Sequence, residues 1–250
     1  MESGGSHQEG ESMKQLLYGK QVAKQILHTP GKAHKVFLAS PDSEIEGLAG
    51  RYNVPVERVD RRTLTKLTGS DNHQGVAVEV DPYKTYSVDE IVRNKKDTYG
   101  FIIMLDELED PHNLGAVLRT ADAVQADGVI FKKTHNAGLT PTVAKVSAGA
   151  IDTVKCAEVT NLTRTAQDLK KKGYWIVGAD MDGQDYRSLK YDFNTVLIIG
   201  NEGKGISRLL SQECDYVVSL PMKGSISSLN ASVSAGILMY SVYASRFPLE

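Results

Sequence analysis

The sequence offers almost nothing that could staple a fold by covalent or metal cross-links. Of its 250 residues only two are cysteine, Cys156 and Cys214, with no CxxC and no histidine-rich spacing near them. That excludes a disulfide framework and argues against a structural zinc site, so no metal is expected. No apolar run reaches the roughly 18 residues that a membrane-spanning helix needs. The opening stretch MESGGSHQEGES has no apolar centre and is not a secretory leader. Residues 1–12 read as a disordered tail or an expression remnant, and a cytoplasmic protein is the expectation.

A dominant charge is missing too. The chain carries 29 Lys and Arg against 31 Asp and Glu, a net charge of −2. Distribution adds a little: residues 1–12 sum to −3, 13–80 to +3 (10 basic, 7 acidic) and 81–250 to −2 (19 basic, 21 acidic). The basic middle block would suit a polyanion, but ordinary surface charge accounts for +3 equally well.

What is present is an ordinary apolar fraction of 41%, enough for a sizeable core. Hydrophobic periodicity reads QLLYGKQVAKQIL as helical, KVFLA as a strand, EIEGLAGRYN as a helix, VPVERVD as extended, RTLTKLTG as a short helix and GVAVEV as a strand. This is a small α/β unit over 13–80. Residues 81–98, with Pro82 and RNKKD, read as a linker that includes a short helix from Val88. Residues 99–250 alternate regularly. Strands are expected at YGFIIML, DGVIFKK, DTVKCAEV, YWIVGAD, TVLIIG and DYVVSLP, and helices near 114–125, 141–149, 161–172, 205–212 and 228–245. Mostly continuous apolar strands separated by helices predict a doubly wound α/β domain with a parallel sheet. Ligands in such sheets sit beyond the carboxyl ends of strands. Three polar or glycine-rich segments fall there: 106–115, 200–205 and 221–230.

The middle segment, IIGNEGKGIS, fits neither common phosphate cradle. Glu202 within it would repel a phosphate, so a ligand without phosphate, or with positive charge, suits it better. Alternatively its glycines simply supply positive φ. The last segment, LPMKGSISSLNASVSAG, holds serines and Asn230 ahead of a long apolar helix, which capping alone would explain. No G-x-S-x-G elbow marks a serine nucleophile. In LDELEDPHNLGAVLRTADA, Asn113 could cap a helix and Arg119 could pair on the surface. Six positions apart, the two lie on different helix faces, so Asn113 belongs at the helix start. The acids Asp106, Glu107, Glu109 and Asp110 could order this loop, meet a second subunit or be solvated.

Taken together, NLGAVLR, LIIGNEGKGIS and LPMKGSISSLNASVSAG, in that order at strand ends, resemble the three motifs of the SpoU/TrmH branch of the SPOUT RNA methyltransferases. LDELEDPHNLGAVLRTADA and SSLNASV are closest to the bacterial enzymes that methylate a guanosine 2′-hydroxyl in large-subunit ribosomal RNA. The resemblance spans residues 99–246. It extends more loosely to 13–80, where HQGVAVEV is similar to the end of that group's RNA-binding domain. It implies a deep trefoil knot, S-adenosylmethionine as cofactor, an RNA substrate, and a homodimer whose catalytic groups come from both subunits. It also implies roles: Arg119 at the target hydroxyl, Asn113 beside it, and Glu202, Ser228 and Asn230 holding the Arg and the ribose. Gly200, Leu220, Met222 and Leu229 match positions that enclose the cofactor. A tRNA methyltransferase is the alternative within the family. A silent RNA-binding relative should lack Arg119 or Asn230, and an ordinary nucleotide-binding oxidoreductase should carry a glycine fingerprint after the first strand; neither condition is met.

Overall fold

A computed structural model describes residues 14–134 and 136–249; the expected tail at 1–12 lies outside them. The chain divides into two units, with the boundary between Tyr83 and Lys84.

The first unit contains β1 (Gln15–Tyr18), α1 (Lys20–Leu27), β2 (Ala33–Leu38), α2 (Ser43–Arg51), β3 (Val56–Arg58), α3 (Arg61–Thr68) and β4 (Val76–Val80). Its sheet runs β1-β4-β2-β3, antiparallel except for the β2/β3 pair. The stretch 15–27, read as helical, is a strand followed by a helix. Gly19, at φ 102°, breaks the two apart, and only Ala23, Ile26 and Leu27 continue with helical spacing to a buried face. Asp42 and Asp60 cap α2 and α3 by accepting from the Ile45 and Thr63 amides. One sheet face packs Val36, Leu38, Val76 and Val78 against α1 and α2. The other carries only a thin cluster of Phe37, Ala77 and Leu64 of α3.

In the second unit come α4 (Val88–Arg93), β5 (Phe101–Leu105), α5 (Pro111–Ala123), β6 (Gly128–Lys132), α6 (Pro141–Val146), α7 (Ala150–Thr153), β7 (Cys156–Val159), α8 (Leu162–Lys171), β8 (Tyr174–Asp185), β9 (Asn194–Ile199), α9 (Arg208–Ser211), β10 (Tyr216–Ser219) and α10 (Ala231–Arg246). All six strands are parallel, in the order β10-β8-β9-β5-β6-β7. The central runs FIIML and TVLII are buried along their length, as expected of a sheet covered on both faces.

The short helix expected from Val88 is α4; Ser87 caps it with a full capping box, and Ile91 is buried in the second unit's core. Three expectations in this unit need correction. The predicted helix over 141–149 breaks at Ala148 and Gly149, both at positive φ. The next turn, Ala150–Thr153, is helical and not strand, so β7 begins only at Cys156. Finally, β8 runs five residues past Asp180, and its pairing with β10 jumps from Val217↔Gly178 to Val218↔Gln184. Residues 179–183 therefore bulge out of the ladder, and Met181 in the bulge is 68% exposed.

Candidate active site

The three segments singled out in the sequence meet at the carboxyl ends of β5, β8, β9 and β10. Their joint is one atom, Glu202 Oε1. The Asn113 side-chain amide donates to it at 2.8 Å and the Asn230 side-chain amide at 2.6 Å. The Ala231 backbone N–H adds a third bond at 3.2 Å. The donors come from two distant places in the sequence: Asn113 from the first turn of α5, and Asn230 and Ala231 from the start of α10. Asn230 is bonded at both ends. Its Oδ1 caps α10, accepting from Ser232 N at 2.9 Å and Val233 N at 3.3 Å. Capping and function thus coincide in this residue.

The loop carrying Glu202 is shaped from within. Asn201 and Gly205 exchange two backbone hydrogen bonds, at 3.0 and 2.9 Å, which closes a tight turn. Asn201 Oδ1 accepts from the Gly203 and Lys204 amides. A Cβ on Gly200 would lie 2.3 Å from the Gly205 carbonyl carbon, so only glycine fits there.

The acidic cluster at 106–110 also has definite work. Asp106 is buried and accepts from Ser207 N at 2.7 Å, tying the end of β5 to the segment ahead of α9. Glu107, at φ 57°, accepts from Asn201 Nδ2 through its carbonyl and from Lys204 Nζ through its carboxylate at 3.4 Å. Asp110 caps α5 through His112 N. Glu109 is exposed. Of the three roles left open for these acids, ordering the loop is the one three of them perform.

Beside Glu202 lies a cleft of about 420 Å³. It is lined by Gly200, Leu220, Met222 and Leu229, all four of the residues expected to enclose a cofactor, and by Glu202 and Ser228. The β8 bulge adds a wall that sequence reading missed, made of Ala179, Asp180, Met181 and Asp182. The strand-end rule pointed to that position, but YWIVGAD shows no glycine-rich or motif-like signal that would single it out. Three carboxylates (Asp180, Asp182, Glu202) face one ammonium, Lys204, which already pairs with Glu107. The cleft therefore favours a cation, and Leu220, Met222, Leu229, Ile199 and Leu238 give it apolar surface. Burial pushes the Cys156 thiol up to about 12 and the Cys214 thiol up to about 11, which keeps both in the poorly nucleophilic thiol form.

Arg119 stands apart. It is exposed on α5, on a different face from buried Asn113, and among the described residues no carboxylate pairs with it. Within one chain Glu202 holds Asn113 and Asn230, and it does not hold Arg119.

Comparison with known proteins fits this arrangement. Residues 100–240 match the SpoU rRNA Methylase family, and residues 16–86 match the RNA 2'-O ribose methyltransferase substrate binding family. YacO of Bacillus subtilis, assigned to the TrmH family of tRNA/rRNA methyltransferases, is 40% identical over 243 residues, covering 93% of this chain and 96% of its own. A Staphylococcus epidermidis protein with the same assignment is 49% identical over 243 residues, covering 94% and 97%. Among solved structures, the SpoU methyltransferase AviRb of Streptomyces viridochromogenes, in complex with AdoMet, superposes with a TM-score of 0.61 at 23% identity, covering 93% of this chain and 90% of its own. The TrmH/SpoU tRNA modifying enzyme of A. aeolicus gives 0.55 at 26% identity, covering 63% and 80%.

Proposed function

The chain belongs to the SpoU methylase family and is an RNA 2′-O-ribose methyltransferase, and from that premise we propose that its methyl donor is S-adenosylmethionine and its substrate a guanosine in large-subunit ribosomal RNA. The observation that carries the donor is the cleft: apolar surface for a nucleoside, a surplus of carboxylates for a sulfonium, and no cradle for phosphate. When bound there, the cofactor supplies an electrophilic methyl group on a positively charged sulfur. The trefoil knot implied by the family resemblance belongs to the same assignment.

The ribosomal substrate is supported by chain organisation. The tRNA-modifying neighbours superpose on 63% and 59% of this chain, whereas an rRNA methyltransferase of Sinorhizobium meliloti superposes on 95%. The full two-unit length is therefore shared with the ribosomal enzyme, and we assign residues 13–80 the task of gripping RNA.

The protein's own residues contribute position and charge. Glu202, which lines the cleft, fixes Asn113 and Asn230 behind it, and this cluster holds the target ribose in line for transfer; such positioning is the largest entropic help an enzyme gives. Arg119 stabilises charge developing on the 2′-oxygen. A guanidinium scarcely deprotonates, so Arg119 is not the base. Because Arg119 does not reach Glu202 in its own chain, the site is completed by Arg119 of the partner subunit in a homodimer. An exposed apolar stripe on α10 supports this: Val233, Tyr240, Tyr243 and Phe247 are 49%, 51%, 41% and 50% exposed, opposite the buried face of Ala235, Leu238 and Val242. α10 packs on α5, the helix that carries Arg119.

Calorimetry tests the donor. S-adenosylmethionine should bind with micromolar affinity, about −8 kcal/mol. Absence of heat and of any thermal shift up to millimolar cofactor, in folded protein, overturns the assignment.

A further inference from the structure

We propose that α3 and the adjoining end of β1 form the surface that takes the RNA backbone, with Tyr18 as a stacking platform for a base. The inference rests on the reading of the first unit as the RNA-gripping part and names the face that does it.

Cations elsewhere in this unit are mostly neutralised. Lys14, Lys20, Lys24 and Lys35 pair with Glu79, Asp42, Glu44 and Glu57 at 2.6–3.1 Å, and Arg58 pairs with Glu46. Helix α3, of sequence RRTLTKLT, differs. It carries Arg61, Arg62 and Lys66, all exposed, and contains no acid. None of the three has an ion-pair partner among the described residues. The nearest carboxylates in sequence are committed elsewhere: Asp60 accepts from the Thr63 amide and hydroxyl at 2.8 and 2.9 Å, and Asp71 accepts from Thr65 Oγ1 at 3.0 Å. Three unneutralised cations on two helical turns form a patch that a polyanion would complete.

The second observation is aromatic. Tyr18 pairs across the sheet with Ala77, so their side chains share a face. Ala77 packs against Leu64 of α3. Tyr18 therefore lies beside α3, and it remains 37% exposed. The cover on this side of the sheet is thin, which leaves the ring accessible. Cations flanking an exposed aromatic ring are the pairing that single-stranded RNA uses: phosphates meet charge and bases stack.

The test uses the full chain and a labelled single-stranded RNA oligonucleotide, with heparin as a generic polyanion. R61Q/R62Q/K66Q should lower the slope of log affinity against log salt by about 2, since each single-strand phosphate contact contributes about 0.7. Y18A should weaken RNA binding at least fivefold while leaving heparin binding unchanged. A control, K24Q/K35Q, should leave the slope nearly intact. S-adenosylmethionine affinity should be that of the wild type in all three. If a variant fails to fold, photo-crosslinking of RNA to the wild type should place the link within residues 18 and 61–68. An unchanged slope in the triple variant, an equal loss in the control, or crosslinks confined elsewhere overturns the surface. Failure of the wild type to bind the RNA at all would instead overturn the parent reading.

Discussion

Glu202 shows how one side chain organises a site. A single carboxylate oxygen accepts from Asn113, Asn230 and Ala231. Removing it in Glu202→Ala leaves the buried Asn113 amide without this acceptor, at a cost of about 1–3 kcal/mol. Glu202→Gln keeps a carbonyl oxygen in the same place, so its melting temperature should stay near that of the wild type. Chemical denaturation of both variants checks this; equal loss in the two would mean that the charge, and not the acceptor, holds the loops. Arg119 gives the complementary case. Lysine retains the charge but not the planar fork, so Arg119→Lys should cut turnover about a hundredfold or more, on the scale of losing one oxyanion donor. Cofactor affinity should be unaffected. If Arg119 acts across a dimer, mixing Arg119→Lys chains with Glu202→Ala chains should restore about a quarter of wild-type activity, because half the dimers are mixed and each has one intact site. No recovery on mixing, with exchange of subunits verified, rules out the shared site.

At the scale of elements, the motif N-x-G-x-x-x-R separates into parts with different duties. Asn113 reaches Glu202, Arg119 faces out, and Gly115 does neither. A Cβ on Gly115 would lie 2.6 Å from Val146 Cβ and 3.2 Å from the Ser147 backbone nitrogen, so this glycine lets α5 and α6 pack closely. Gly115→Ala should therefore destabilise the protein by about 1–3 kcal/mol through overpacking, read as a lower denaturation midpoint; wild-type stability would show that α6 yields. The elements themselves were largely legible. The apolar runs of β5 and β9 and the capped starts of α2, α3 and α5 carry their own periodicity and capping chemistry. What periodicity could not show was set by single residues or by distant pairing. Gly19 splits β1 from α1, Ala148 and Gly149 end the run after α6, and the β8 bulge exists because of a register jump against β10, over 30 residues away.

For the whole molecule, the sequence named candidate site residues but could not show which of them meet. Glu202 lies 89 residues from Asn113 and 28 from Asn230, and only the parallel sheet, with its strand ends aligned, brings them to one atom. Gly200, Leu220, Met222 and Leu229 converge on the cleft for the same reason. Arg119 is the residue one chain leaves out, and the acids at 106–110 gained a purpose only when their partners across the loops were visible. Among the described residues no helix is long and apolar enough to cross a membrane. The most direct test of the account is the chemical position of the transferred methyl. Purified protein, labelled S-adenosylmethionine and large-subunit ribosomal RNA should yield, after nuclease digestion and mass spectrometry, one methylated guanosine with the added mass on the ribose fragment. The same reaction should fail on an RNA fragment whose target nucleotide is 2′-deoxy. Label on the base fragment, or undiminished transfer to the deoxy substrate, would contradict ribose methylation at this site.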